Sequence, residues 1–144
     1  MRKIFLIRLI CLGIGDALGC LLAEVLSDLP MIDSINLSAN NLTDRSLSPL
    51  ISSITTIPSV TVLNLSKNKI DGLSSIALAN YLSRPDCPIV SLNISSADVD
   101  DTECVKFVKA LRENDRLTYL DISCNLLGKN FIFAFILGVH STFP

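Results

Sequence analysis

Residues 63–70 read LNLSKNKI, and this eight-residue pattern occurs three more times along the chain. The other copies align with it without gaps and read INLSANNL at 35–42, LNISSADV at 92–99 and LDISCNLL at 120–127. An apolar residue stands three positions before each copy, so the full frame is apolar-x-x-apolar-x-apolar-x-x-Asn-x-apolar, with Ala97 in place of Asn in one copy. The frames start at Ile32, Val60, Ile89 and Leu117, at spacings of 28, 29 and 28 residues. Such a period predicts a solenoid, in which each repeat buries its apolar face against the next.

The frame resembles the leucine-rich repeat, L-x-x-L-x-L-x-x-N/C-x-L, and the period is similar to that of the ribonuclease-inhibitor-like class. This resemblance implies an α/β leucine-rich-repeat solenoid, with a curved parallel sheet inside and helices outside. We therefore predict a single domain over residues 1–144, with about five repeats that start near residues 4, 32, 60, 89 and 117.

The first and last repeats are predicted to be degenerate copies of the same frame. A shift of 28 residues from the first clear copy finds apolar residues at Ile4, Ile7, Leu9 and Ile14, with Leu12 at the Asn position. Eight and twelve residues past the frame, every repeat carries an apolar residue, from Leu22 and Leu26 to Phe135 and Val139. A spacing of four residues on one face predicts a helix in each repeat.

Several polar residues are predicted to be structural. A buried amide at the strand exit can satisfy backbone groups of the turn, and this role is expected for the ladder Asn40, Asn68 and Asn125. Asp16, Asp44 and Asp101 stand where the helices start, and there they are expected to accept backbone N–H bonds. The acidic residues at 98–103, including Glu103, lack the ligand pattern and glycine of a calcium loop. We expect helix capping and a solvated rim from them, and no metal site.

The outward strand positions form the concave face, which is a common partner surface in solenoids. Its middle position carries Arg8, Asn36, Asn64, Asn93 and Asp121 in successive repeats, about 4.8 Å apart if the strands stack. The candidate partner-binding residues are Asp33, Asn36, Asn64, Lys67, Asn93, Tyr119 and Asp121. For each single residue, the alternative is a consensus position on a solvated face. The chain is thus predicted to be a protein-interaction scaffold or adaptor.

The composition bears on other classes of function. Twelve Lys and Arg against 14 Asp and Glu give a net charge of −2, which argues against nucleic-acid binding. A single histidine, His140, and no visible nucleophile–base pair argue against an enzyme, and no cofactor is expected. The five cysteines are odd in number and show no C-x-x-C pair, so we expect a reducing, cytoplasmic location.

Two alternatives remain open at this point. Ran GTPase-activating protein is a leucine-rich-repeat solenoid, and Arg45 or Arg84 on a rim could serve a small GTPase as the charge-stabilising arginine. The chain could also be a secreted or cell-surface recognition module if residues 1–20 act as a signal peptide. Arg8 interrupts the apolar run that such a peptide needs.

Both ends of the predicted solenoid are apolar. Residues 1–30 contain 19 apolar residues and residues 131–139 contain eight, although no apolar run reaches the roughly 18 residues of a membrane helix. Solenoids normally end in repeats with a polar outer face. We therefore expect end-to-end self-association, or a piece of a longer array.

Overall fold

The structure is a computed structural model that describes residues 5–29 and 31–139. Strands and helices alternate along these residues. In chain order they are β1 (Phe5–Arg8), α1 (Gly15–Leu26), β2 (Ile32–Asn36), α2 (Asp44–Ile54), β3 (Val62–Asn64), α3 (Gly72–Leu82), β4 (Ser91–Asn93), α4 (Asp101–Glu113), β5 (Tyr119–Asp121) and α5 (Lys129–Val139). The predicted repeat start near residue 4 and His140 lie outside the described residues.

The strands form one parallel sheet in the order β1-β2-β3-β4-β5. The strand pairing follows the sequence frame. Residues at the same frame position are partners on adjacent strands, namely Ile35, Leu63, Leu92 and Leu120. Each strand connects to the next through a helix, which is the usual way to join parallel neighbours. The predicted α/β solenoid with a parallel sheet is confirmed.

The core lies between the sheet and the helices, and the middle repeats bury it best. Leu50 and Leu78, on the inner faces of α2 and α3, have no exposed surface, and Phe107 of α4 is 3% exposed. Phe135 occupies the corresponding position in α5 and is 40% exposed. The difference arises because, within the described residues, α5 has a neighbouring repeat on one side only.

The frame asparagines bind backbone groups of two repeats at once. Asn68 Nδ2 donates to the carbonyls of Leu65 in its own repeat and Leu37 in the preceding one. Its Oδ1 accepts from the N–H groups of Asn40 and Leu42. Asn40 and Asn125 bond in the same pattern, and Asn125 is only half-buried because no repeat follows it in the described chain.

The aspartates of the first helical turn do not cap their own helices, contrary to the prediction from the sequence. The N-caps are Thr43 in α2, Asp71 in α3 and Asp100 in α4. Asp16, Asp44 and Asp101 accept hydrogen bonds from residues at the start of the following helix instead. Each aspartate therefore ties two neighbouring repeats together.

Glu103 also differs from the expectation of a solvated rim. It is only 9% exposed and lies between α3 and α4, where it accepts hydrogen bonds from Ser75 Oγ and, at 2.8 Å, from Lys106 Nζ. A buried carboxylate needs such partners to offset its lost hydration. No sequence signal singles out this residue, since its main partner Ser75 is 28 positions away.

Candidate binding face on the sheet

The strand pairing aligns the middle outward residues into one row. Arg8 pairs with Asn36, Asn36 with Asn64, Asn64 with Asn93, and Asn93 with Asp121. We call these five residues the ladder. Adjacent strands are about 4.8 Å apart, so the ladder extends over roughly 19 Å from Arg8 to Asp121. The side chains of Asn36, Asn64, Asn93 and Asp121 are half-buried, and that of Arg8 is exposed. Each of the three asparagines lies between buried neighbours in the chain.

Each Asn or Asp of the ladder is held by a serine two residues later in the chain. Asn64 Oδ1 accepts from the N–H of Ser66 at 3.0 Å and from its hydroxyl at 2.8 Å. The same pair of bonds joins Asn36 to Ser38, Asn93 to Ser95 and Asp121 to Ser123. These short turns orient the four Asn and Asp side chains alike, because one oxygen of each accepts the backbone N–H two residues later.

The remaining polar atoms of the ladder are available to another molecule. Among the described residues, no group accepts a hydrogen bond from Nδ2 of Asn36, Asn64 or Asn93. At the far end, the bonds from the hydroxyl and N–H of Ser123 hold the pKa of Asp121 below its usual value. The ladder is therefore a row of neutral donors between a cation at Arg8 and a carboxylate at Asp121.

Two other predicted site residues, Asp33 and Tyr119, are not members of the ladder. Asp33 is exposed at the start of β2 and accepts a hydrogen bond from Thr61 Oγ1 at 2.9 Å. Tyr119, on the edge strand β5, is 55% exposed and borders a depression of about 240 Å³ together with Leu111 and Phe135.

Lys67 is not part of the strand face. It lies in the turn after β3 with a φ of +56°, and it borders a shallow depression of about 490 Å³ with Asn41, Ser96 and Asp98. This places Lys67 on the rim at the strand exits, because the chain has already left the sheet there.

The two arginines considered for a GTPase role are far apart. Arg45 is exposed in the first turn of α2, whereas Arg84 follows the C-terminal end of α3. The helices of neighbouring repeats run parallel and are about 16 Å long, so the two residues lie at opposite ends of the helix layer. Arg84 is already bound to Asp86 through Nε at 2.9 Å and Nη2 at 2.7 Å.

Residues 5–29 and 31–139 contain no group of three or more His, Cys, Asp or Glu placed to hold a metal ion. No helix in this part of the chain is long and apolar enough to cross a membrane. All five cysteines are free thiols, and burial raises the pKa of Cys104 to about 12.

Comparisons with known proteins agree with the repeat frame. A family model described as "Leucine Rich repeat" matches residues 56–79. The human protein named "NACHT, LRR and PYD domains-containing protein 5" is 29% identical over 98 residues, which are 68% of this chain. The chain spans only 8% of the length of that relative.

Solved structures of low sequence identity share the fold. The tropomodulin C-terminal domain of Caenorhabditis elegans superposes with a TM-score of 0.71 at 18% identity, covering 96% of this chain and 86% of the other. The leiomodin-1 actin-binding site 2 gives a TM-score of 0.72 at 14% identity, with coverages of 94% and 81%.

Proposed function

Since this chain is a leucine-rich repeat protein, we propose that it is a non-enzymatic interaction module that binds a protein partner through the ladder on its sheet. A general role in protein interaction is supported by the family and by the structural neighbours of this chain. Membership of the ribonuclease-inhibitor-like class stays a prediction that rests on the period of 28–29 residues.

The availability of the ladder amides is the observation that carries this proposal. Asn36, Asn64 and Asn93 keep both Nδ2 protons free while their Oδ1 atoms are occupied, so the row can donate but hardly accept. A partner that presents several carbonyl or carboxylate oxygens along one line fits this arrangement. The opposite charges of Arg8 and Asp121 would set the direction in which the partner lies.

The contact between Arg84 and Asp86 favours this proposal over regulation of a small GTPase through Arg84. An arginine that stabilises a transferring phosphoryl group must leave its guanidinium available. Arg84 instead holds Asp86 with two nitrogens, and this contact lowers the pKa of the Asp86 carboxyl. A reducing, cytoplasmic location is likewise our proposal, supported by the five free thiols.

The experiment compares binding by the unmodified chain and by Asn64→Asp. An aspartate keeps the oxygen that accepts from Ser66, as Asp121 does with Ser123, and removes only the Nδ2 donor. Actin is the first probe, because the leiomodin-1 neighbour is an actin-binding site. Further partners are captured by a photo-crosslinker placed at Ser91 beside the ladder, or at Ser52 on the outer helices.

A partner of the ladder should crosslink at Ser91 and not at Ser52. Its affinity should fall about tenfold in Asn64→Asp, the expected effect of one lost hydrogen bond plus an added charge. Ser52→Asp adds the same charge on the helix side and should leave binding unchanged. Equal binding by Asn64→Asp and the unmodified chain would contradict the proposal.

A further inference from the structure

The first repeat leaves an apolar face uncovered on the side away from β2 and α2. Its exposed residues on α1 are Leu18, Leu21 and Val25, which are 54%, 55% and 53% exposed. The equivalent residues of α2, 28 positions later, show what this side of a helix contacts in an interior repeat. Ser46 and Ser53 both contact α1, through Asp16 Oδ1 and the carbonyl of Ala23, each at 2.6 Å. Leu18 and Val25 therefore occupy positions that contact a preceding helix in interior repeats. We call Leu18, Leu21 and Val25 the N-terminal end face.

The last repeat leaves the opposite side uncovered. Ile132 and Ile136 of α5 are 54% and 49% exposed. The corresponding residues of α4, 28 positions earlier, are Cys104 and Val108, which are 1% and 6% exposed because another helix follows α4. We call Ile132 and Ile136 the C-terminal end face.

The backbone edges beside these faces are complementary. In every interior junction, an N–H after one strand donates to a carbonyl of the following strand at 2.9 Å. These bonds are Leu9 to Asn36, Leu37 to Asn64, Leu65 to Asn93 and Ile94 to Asp121. By the same frame, the edge of β5 presents the N–H of Ile122 as a donor, and the edge of β1 presents the carbonyl of Arg8 as an acceptor. An open sheet edge of this kind is a template for another strand.

We propose that the C-terminal end face of one copy stacks on the N-terminal end face of a second copy. The N–H of Ile122 would donate to the Arg8 carbonyl of the second copy, while Ile132 and Ile136 would cover Leu18 and Val25. A second copy would cover the apolar residues of the helix and also supply the hydrogen-bond partner of the strand edge. Each end resembles the repeat that would normally lie next to the other end. This contact is heterologous, so a dimer still has one open end of each kind and can add further copies.

One position weakens the junction. Asn68 and Asn125 each accept from two N–H groups of the preceding repeat, which for Asn125 are those of Ala97 and Val99. At the junction the corresponding residue is Leu12, so the N–H groups of Asn125 and Leu127 would find no such acceptor. Leu12→Asn should therefore tighten self-association by about tenfold, through hydrogen bonds that the natural leucine cannot make.

The test measures molar mass by light scattering across a concentration series of the purified 1–144 chain. The average mass of the unmodified chain should rise with concentration past that of a dimer. Leu21→Glu blocks the N-terminal end face and Ile136→Glu blocks the C-terminal one, and each variant alone should be monomeric. Mixed in equal amounts, they should form a dimer and nothing larger, because one intact end of each kind remains. Ile76→Glu makes the same change on the outer side of α3, where Ile76 is 43% exposed, and should associate like the unmodified chain.

Three results would overturn the proposal. The first is an unmodified chain that stays monomeric at every concentration. The second is a mixture of the blocked variants that forms no dimer. The third is a dimer that survives in Leu21→Glu or in Ile136→Glu, since it would use two identical faces. The ladder variant Asn64→Asp should self-associate normally, so this test and that of the proposed function can fail separately.

Discussion

The carboxylate of Asp44, in the first turn of α2, accepts a hydrogen bond from the N–H of Leu73 in α3 at 2.7 Å. It also accepts from the backbone N–H and hydroxyl of Ser74. The first N–H groups of a helix have no partner within the helix and carry a partial positive charge. Asp44 satisfies them from the neighbouring repeat, so one residue contributes both to the cap of a helix and to the junction between repeats.

Gly72 makes room for this junction. A Cβ atom at position 72 would lie 3.1 Å from Asp44 Oδ2, and one at Gly128 would lie 2.8 Å from Asp101 Oδ2. The glycines that precede or begin α3 and α5 thus permit the aspartate of the previous repeat to reach the helix start.

Asp44→Ala should destabilise the chain by about 2 kcal/mol, because several N–H groups at the start of α3 lose a charged acceptor. Urea denaturation followed by circular dichroism measures this difference. Asp28→Ala is the matched control, since Asp28 is exposed and its carboxylate makes no hydrogen bond within the described residues. If the free energy of unfolding falls no further in Asp44→Ala than in the control, the junction does not depend on this carboxylate.

Stability should fall in acid as Asp16 and Asp44 become protonated. Burial alone would raise the pKa of Asp44, but hydrogen bonds from Ser74 and Leu73 outweigh it and hold the pKa below the ordinary 3.8. Burial would likewise raise the pKa of Asp16, but hydrogen bonds from Ser46 and Thr43 hold it below 3.8. A carboxyl group whose pKa is lowered on folding stabilises the protein above its unfolded pKa, and this contribution disappears as pH falls through the folded value.

The free energy of unfolding should therefore decrease from about pH 4 downward. Chemical denaturation at several pH values measures the slope. In Asp44→Asn the slope should be shallower, because one of the carboxyl groups with a lowered pKa is absent. An identical slope in the variant would mean that other carboxyl groups dominate acid unfolding.

Asn68→Ala should cost at least about 3 kcal/mol, since it leaves backbone groups of Asn40, Leu42 and Leu37 without partners in a buried turn. Asn125→Ala should cost less, because Asn125 is half-buried and water can replace part of its bonding. Thermal unfolding of both variants tests this order. Lys67→Ala, a change at an exposed neighbour, is the control.

Tyr81→Phe should leave stability unchanged or raise it by up to about 1 kcal/mol. The Tyr81 hydroxyl is buried, and it has no hydrogen-bond partner among the described residues. Removing an unsatisfied polar group from the interior relieves its desolvation cost. Calorimetry of the two proteins decides the sign. A loss above about 1 kcal/mol would show that the hydroxyl has a partner in solution.

The cysteines should react with a thiol reagent at clearly different rates. Cys11 and Cys124 are exposed and should be modified first in the native protein. Cys87 and Cys104 are buried, and burial raises the pKa of both thiols. They should react only on unfolding, since the thiolate is the reactive form. Mass spectrometry of partly labelled protein identifies the sites, and early labelling of Cys104 would show local opening of α4.

Periodicity along the chain is enough to predict the repeat, the parallel sheet and the core. A residue such as Leu63 falls at the same frame position as Ile35 and Leu92, and a solenoid with constant period must place these residues side by side. The same rule aligns Asn36, Asn64 and Asn93 from the sequence alone, and the strand register agrees with it. Periodicity is sufficient here because each repeat interacts mainly with its two neighbours.

Only the tertiary structure decided which repeat each polar side chain serves. An aspartate at position 44 can bond with its own helix or with the next one, and both choices fit the same sequence. The lateral offset of stacked helices brings the start of α3 to Asp44. The burial of Glu103 against Ser75 likewise depends on a contact between repeats that the spacing of residues along one chain does not specify.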